Sequence, residues 1–231
     1  MEIDLNCDLG EGCPHDEELM GLITSANIAC GFHAGDPGTA FAALTSAKKH
    51  GVHAGAHPGF ADRENFGRLE LVRTEQQVYE DCAYQVGALA GLVKAAGAKL
   101  YHLKPHGALY NMACRDDRYA RPISAVAELF GLPLLGLPDS RLQMLSAGRC
   151  SFIAEGFADR RYLPDGALVP RSRPDAFVED PAEAVAQVEG LLEKKGVRTI
   201  CVHGDNPQAL RFVRELRAAL ERKGIVIRAF S

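Results

Sequence analysis

Short apolar runs alternate with longer stretches of mixed polarity from one end of the chain to the other. The runs fall at Glu2–Asp8, Ala26–Cys30, Val52–Ala56, Lys99–Lys104, Pro133–Leu137, Ser151–Glu155, Arg198–His203 and Ile225–Phe230, each bounded by glycine, proline or charge. Runs of this kind predict parallel strands covered on both faces. The stretches between them carry helix signals. Thr74 and Gln77 make a capping-box pair ahead of 78–96. Asp180-Pro181 and Asn206-Pro207 each set a capping side chain before a proline at the first helical position. Gly51, Gly97, Gly196 and Gly224 stand where helices stop. Within 207–223, Leu210, Val213, Leu216 and Leu220 recur at helical spacing, the stripe of a core-facing helix.

Strand–helix alternation predicts an α/β fold: one domain over residues 1–231, a distorted parallel (β/α) barrel with seven or eight strands, with an open doubly wound sheet as the alternative. Two stretches, 59–73 and 157–175, are too polar and irregular for regular structure. Long loops at strand ends are expected to border the active site.

Composition narrows the function classes. The net charge of −4 without a long run of one sign argues against a nucleic-acid partner. Seven cysteines, an odd number with no C-x-x-C pair, read as reduced thiols and a cytoplasmic location. No basic-then-apolar leader is visible at the N-terminus, and no apolar run approaches a membrane span, so no membrane partner is expected.

The candidate chemistry sits where predicted strands end: Asn6-Cys7-Asp8-Leu9-Gly10-Glu11, His33-Ala34-Gly35-Asp36, His57-Pro58-Gly59-Phe60, Lys104-Pro105-His106-Gly107 and His203-Gly204-Asp205. In parallel α/β architectures such ends share one face, so these segments converge on one pocket. Asn6 and Asp8 lie on the same side of their strand. Asp8 reads as a base, metal ligand or orienter of a histidine, or else as a turn cap with Glu11 exposed. Asp36 before Pro37 fits a helix cap at least as well as a chemical role, whereas His33 has no such structural explanation. His53 reads as packing, and His57 as ending its strand at the mouth. The charged loop 62–68 either covers substrate or is simply solvated. Arg68 is a carboxylate anchor by its forked geometry.

Lys104 closes an apolar strand, where a solvated lysine is not expected. In a desolvated mouth it either stabilises developing negative charge or, neutral, acts as a base. His106 can shuttle protons near neutral pH. Glu155 ends another strand; the following Asp159 and Arg160 read as a mutual pair. Arg171 and Arg173 can meet an anion, and Gly204 lets backbone N–H groups approach a ligand. Cys30 reads as a buried thiol rather than a nucleophile. No P-loop, dinucleotide fingerprint, G-x-S-x-G elbow or H-E-x-x-H helix occurs.

These motifs, with Ser25-Ala26-Asn27-Ile28-Ala29-Cys30-Gly31-Phe32, Asp62-Arg63-Glu64-Asn65-Phe66-Gly67-Arg68, Ala108-Leu109-Tyr110-Asn111, Phe157-Ala158-Asp159-Arg160 and Leu168-Val169-Pro170-Arg171-Ser172, resemble the A-subunit family of the ATP-hydrolysing 5-oxoprolinase, also called the lactam-utilisation protein family, over nearly the whole chain. The resemblance implies a glycoside hydrolase/deacetylase-like barrel. It also implies a hydrolase acting on a cyclic amide: ATP, as co-substrate, drives the opening of 5-oxo-L-proline to L-glutamate, with subunits B and C as partners. A divalent ion such as Mg²⁺ is allowed as companion of the nucleotide, and no metal ligands are assigned. Asp8, His57, Lys104 and His106 are then the expected catalytic residues. Asn6, Glu11, His33, Arg68, Tyr110, Glu155, Arg171, His203 and Asp205 are expected to bind the small-molecule substrate. Two alternatives stand beside it: a metal-dependent amide deacetylase with Asp8, His57 and His106 as ligands, and a non-catalytic subunit that presents substrate. One departure is the short connection Glu193-Lys194-Lys195-Gly196-Val197, where the family usually carries an extra segment.

Overall fold

The computed structural model describes residues 1–204 and 208–230. Its elements run β1 (Glu2–Leu9), α1 (Asp16–Met20), β2 (Ser25–Ala29), α2 (Pro37–His50), β3 (His53–His57), α3 (Glu75–Ala95), β4 (Leu100–Leu103), α4 (Gly107–Arg115), α5 (Asp117–Phe130), β5 (Leu134–Gly136), α6 (Arg141–Ser146), β6 (Phe152–Phe157), α7 (Pro181–Lys195), β7 (Thr199–His203), α8 (Ala209–Arg222) and β8 (Val226–Ile227). Strands β2 to β7 pair in chain order, and β1 pairs with both β2 and β7, closing a parallel ring of seven strands. The expected barrel is therefore present and the open sheet is not. The eighth expected strand, 225–230, is strand only at Val226–Ile227, which pairs with Glu2 and Ile3 of β1 outside the ring. Beyond it, Phe230 packs on Leu135 and Ile153. Burying that ring against β5 and β6 takes the tail away from any further ladder.

The helix signals act as sequence chemistry requires. Asp36 accepts from Thr39 N–H in a full capping box, as Thr74 does from Gln77 N–H. Asp180 caps α7, and Gly51 ends α2 in the left-handed region. Asp36 is thus occupied as a cap. Between β4 and β5 the chain makes two helices, split at Asp116, whose side chain accepts from Arg118 N–H. Asp205 and the Asn206-Pro207 cap lie outside the described residues. No helix among the described residues is long and apolar enough to cross a membrane.

The two faces of the ring differ in polarity. Ile3, Leu5, Cys7 and Leu9 of β1 are buried in the main hydrophobic core, shared with Leu44, Leu89, Ile123, Val188 and Leu216 of the surrounding helices. The alternate residues Asp4, Asn6 and Asp8 join a polar interior. Asn6 donates to Glu155 of β6 and Thr199 of β7, and Asn27 of β2 donates to Asn6 and Asp8. His102 of β4 lies 2.7 Å from Asn27 Oδ1. Its ring fits because β3 offers Gly55 beside it; a Cβ there would stand 2.0 Å from His102 Nε2. Each buried polar group is held by others of its kind, which is the condition for tolerating them at all.

Candidate active site

The C-terminal ends of β1, β3, β4, β6 and β7 open on one cavity of about 530 Å³. Lys104, immediately after β4, lies at its floor and is 2% exposed. Its ammonium stands 3.0 Å from Asp8 Oδ1 and 3.0 Å from Glu155 Oε1. It also donates to Asn6 Oδ1 and to Cys201 Sγ, and lies over the ring of Phe157. Burial alone would lower the Lys104 pKa, but the charges of Asp8 and Glu155, with the hydrogen bond to Cys201, hold it well above the ordinary lysine value. Lys104 is therefore a fixed cation and not the neutral base that its sequence context also allowed. Asp8 is buried as well. Burial pushes its pKa up, and the charges of His57, Lys104 and His203 outweigh that and hold it well below the usual carboxylate value.

Glu155 Oε2 and the Tyr110 hydroxyl make no short hydrogen bond among the described residues, but the two side chains interact with each other in the cavity wall. Burial, then the charge of Glu155, pushes the Tyr110 pKa well up, so the phenol keeps its proton. A buried acceptor beside a buried donor suits a ligand that presents both.

One wall is built of imidazoles. His57 Nε2 lies 3.3 Å from Asp8 Oδ2 and 3.0 Å from His106 Nδ1. His33 stacks on His106 at 3.8 Å, and Glu11 lies 3.2 Å from His33 Nε2. Burial, followed by the neighbouring histidines, pushes the pKa of both His33 and His106 well below the ordinary value, so both are neutral. The charged loop after β3 is seated on this wall. Phe66 O faces His106 Nε2 at 2.8 Å, Arg63 donates to the Gly31 and Gly35 carbonyls, and Ala108 N–H donates to Gly67 O.

On the opposite side Asp159 accepts from the His203 backbone N–H and lies 2.8 Å from His203 Nδ1. His203 stacks on Phe157. The expected pairing of Asp159 with Arg160 gives way to this one, while Arg160 donates to the Val169 and Ala176 carbonyls. Burial raises and His203 lowers the Asp159 pKa, with a net downward shift. Arg68, over Phe66, and Arg171, over Phe177, line the outer part of the cavity.

The cavity thus brings together Asp8, His57, Arg68, Lys104, His106, Tyr110, Glu155, Arg171 and His203. Three other expected substrate contacts do not line it. Asn6 is wholly buried beneath Lys104, and Glu11 and His33 stand behind His106. Their contacts are with other side chains because β1 and the β2–α2 connection pass behind the wall. Asp159 was expected only to pair with Arg160, and Cys201 carried no expected role in the site. Asp159 is missed because its nearest opposite charge in the chain is not its partner in space. Burial pushes the Cys30 thiol up to about 12 and the Cys201 thiol well up, leaving neither as a ready thiolate. All seven cysteines are free. Among the described residues two groups have ligand atoms close enough to hold a metal: Glu11, His33, His57 and His106, and Asp8, Cys201 and His203.

Comparison with known proteins gives a consistent kinship. The LamB/YcsF family pattern matches residues 3–231. The chain is 45% identical over 247 residues to the 5-oxoprolinase A subunit of Methylococcus capsulatus, covering 98% of this chain and 95% of the relative. It is 45% identical over 251 residues to the 5-oxoprolinase A subunit of one strain of Thermus thermophilus, covering 100% of each. Among solved structures, the lactam utilization protein from a second strain of Thermus thermophilus superposes with a TM-score of 0.91 at 41% identity, covering 100% of both chains. A family 4 carbohydrate esterase from Streptomyces lividans reaches a TM-score of 0.53 at 13% identity, covering 100% of this chain and 93% of the esterase, a likeness of fold alone.

Proposed function

Because the chain belongs to the LamB/YcsF family, we propose that it serves as the A subunit of an ATP-dependent 5-oxoprolinase, opening 5-oxo-L-proline to L-glutamate together with subunits B and C. The observation that carries this reading is a charged lysine, held between two carboxylates, at the floor of a cavity.

A five-membered lactam has a poorly electrophilic carbonyl. Phosphorylation of its oxygen by ATP, with ADP leaving, improves the electrophile; water then gives a proton to the base and attacks the ring carbon, the C–N bond breaks as the nitrogen takes a proton, and inorganic phosphate leaves. Lys104 faces the oxygen and offsets its charge in both steps, from a position fixed before substrate arrives. Glu155 Oε2 accepts the lactam N–H, which an analogue without that hydrogen cannot supply. Arg68 and Arg171 take the substrate carboxylate and the transferred phosphate. Water needs a base. The acceptor atoms of Asp8, His57 and His106 are turned toward one another at 3.0 to 3.3 Å. His203 is better placed for that role. Asp159 holds Nδ1, which leaves Nε2 as the nitrogen that takes a proton.

The test is glutamate release from 5-oxoproline with ATP, by this chain alone and with its two partners. Turnover is expected only in the assembled complex. Lys104→Ala is expected to lower kcat there by about 10²–10³-fold, the usual effect of losing one oxyanion donor. Full activity in that variant removes Lys104 from the reaction and the reading with it.

A further inference from the structure

Arg160 is a buried guanidinium with no ion pair among the described residues. It is 4% exposed, and it lines the cavity. Two of its five N–H groups go to backbone carbonyls, Nε to Ala176 O at 3.4 Å and Nη2 to Val169 O at 2.5 Å. The others have no partner among the described residues. Asp159, its neighbour in the chain, is taken by the His203 backbone N–H and ring. An arginine is almost never buried this far without a counter-ion.

A second guanidinium stands beside it. Arg160 Cζ lies 5.3 Å from the centroid of the Phe177 ring, and Arg171 Cζ lies 5.4 Å from the same centroid. Both arginines line the cavity and Phe177 does not, so the ring backs the pair and does not separate it. Burial, then the charge of Arg171, lowers the Arg160 pKa to about 10, which leaves it charged at neutral pH. The backbone fixes this arrangement before any ligand arrives. Arg160 bridges antiparallel to Phe177, Arg161 N–H donates to Ala176 O, and Val169 N–H, two residues before Arg171, donates to Arg161 O. Two like charges held together away from water repel each other, and an anion that accepts from both relieves the pair.

We propose that Arg160 and Arg171 form a binding site for a phosphoryl dianion, with the substrate carboxylate left to Arg68 on the other wall. A carboxylate fills one guanidinium fork, whereas a tetrahedral phosphate presents oxygens to two at once. Arg68 is placed apart from the pair, over Phe66, whose carbonyl faces His106. The assignment rests on the ring-opening reading for the source of the phosphoryl group. The anion site itself stands on the two guanidiniums.

The test is calorimetric binding of inorganic phosphate to the isolated full-length chain, without nucleotide and without turnover. One phosphate per chain is expected at millimolar concentration, with 5-oxoproline unable to displace it. Arg171→Gln is expected to weaken phosphate binding by about tenfold to a hundredfold, the usual worth of hydrogen bonds to a charged group. Arg160→Lys keeps the charge, loses the fork and is expected to weaken binding by about tenfold. Arg68→Gln is expected to leave phosphate affinity unchanged. Arg160 also holds loop carbonyls, so circular dichroism checks that its variant folds; where it does not, Arg171→Gln decides. Wild-type protein that binds no phosphate overturns the proposal, as does unchanged affinity in Arg171→Gln. Displacement of phosphate by 5-oxoproline overturns it too, by giving the arginine pair to the carboxylate. Any of these results beside normal glutamate release by the assembled complex removes the anion site and leaves the ring-opening reading in place.

Discussion

Asp159 takes hold of His203 twice, through the backbone N–H and through Nδ1, so neither the position nor the tautomer of that ring is left to chance. It acts through His203 and not on substrate. Asp159→Asn keeps the shape and loses the acceptor for Nδ1–H, which frees the ring to adopt the wrong tautomer. In the assembled complex kcat is expected to fall by about 10²-fold or more, within the range a well-placed base contributes, with KM little changed and the acidic limb of the pH–rate profile displaced. A normal kcat and profile would take His203 out of the base role. Residues such as Lys104 and Glu155 are legible in the chain because a charge closing an apolar strand has few structural explanations. Asp159 is not, because its partner lies 44 residues away, on the neighbouring strand β7.

At the scale of elements, local chemistry dominates and the chain is easiest to read. The capping box at Thr74 closes two otherwise unpaired backbone N–H groups at the start of α3, a 21-residue helix whose Val78, Cys82, Val86, Leu89 and Val93 face the core. Thr74→Ala is expected to lower the unfolding free energy by about 1 kcal/mol, read as a shift of the denaturant midpoint at constant m-value, with ring opening unaffected. A change in turnover without a change in stability would contradict a purely structural role. The short strands are less legible at their ends. Lys104 lies one residue beyond β4 as a strand, and 225–230 contributes only two strand residues, because Phe230 leaves the ladder to cover Leu135 and Ile153. The β4–β5 connection divides at Asp116 into helices that share one run of mixed polarity, so periodicity alone does not separate them.

Over the whole molecule the polar barrel interior sets the response to acid. His102 is fully buried, and burial, then the charge of Lys104, lowers its pKa from 6.5 to about 3. Its contribution is present above pH 6.5 and lost as pH falls, because the unfolded chain takes up the proton first. Asp4 has the opposite sign. Burial raises its pKa from 3.8 to about 6, against hydrogen bonds from Thr199, Ser25 and Thr24, so its contribution is present below 3.8 and lost as pH rises through 6. Going from neutral pH to pH 5, His102 costs about 2 kcal/mol and Asp4 returns about 1 kcal/mol by linkage. His33 and His106 add to the His102 side. The melting temperature is therefore expected to fall between pH 7.5 and pH 5, and Asp4→Asn is expected to steepen the fall; a rise on acidification would refute this balance. The alignment with the Thermus thermophilus relative runs over 251 positions against the 231 residues of this chain, so the relative carries about 20 residues that this chain lacks. Even so, the ring, its polar interior and the cavity are intact. The alternation of apolar runs and capped amphipathic stretches, by itself, determined a parallel strand–helix fold, its helices and the common face of strand ends on which the ionisable residues gather, because hydrogen-bonding periodicity and burial act over a few neighbouring residues; closure of the ring through β1 was decided in space. Only the tertiary structure decided that Lys104 is a fixed cation, that Asp159 serves His203, and that Glu11 and His33 stand behind the wall instead of on it. Charge, tautomer and desolvation depend on atoms within a few ångströms in space, and here those atoms come from strands far apart in the chain.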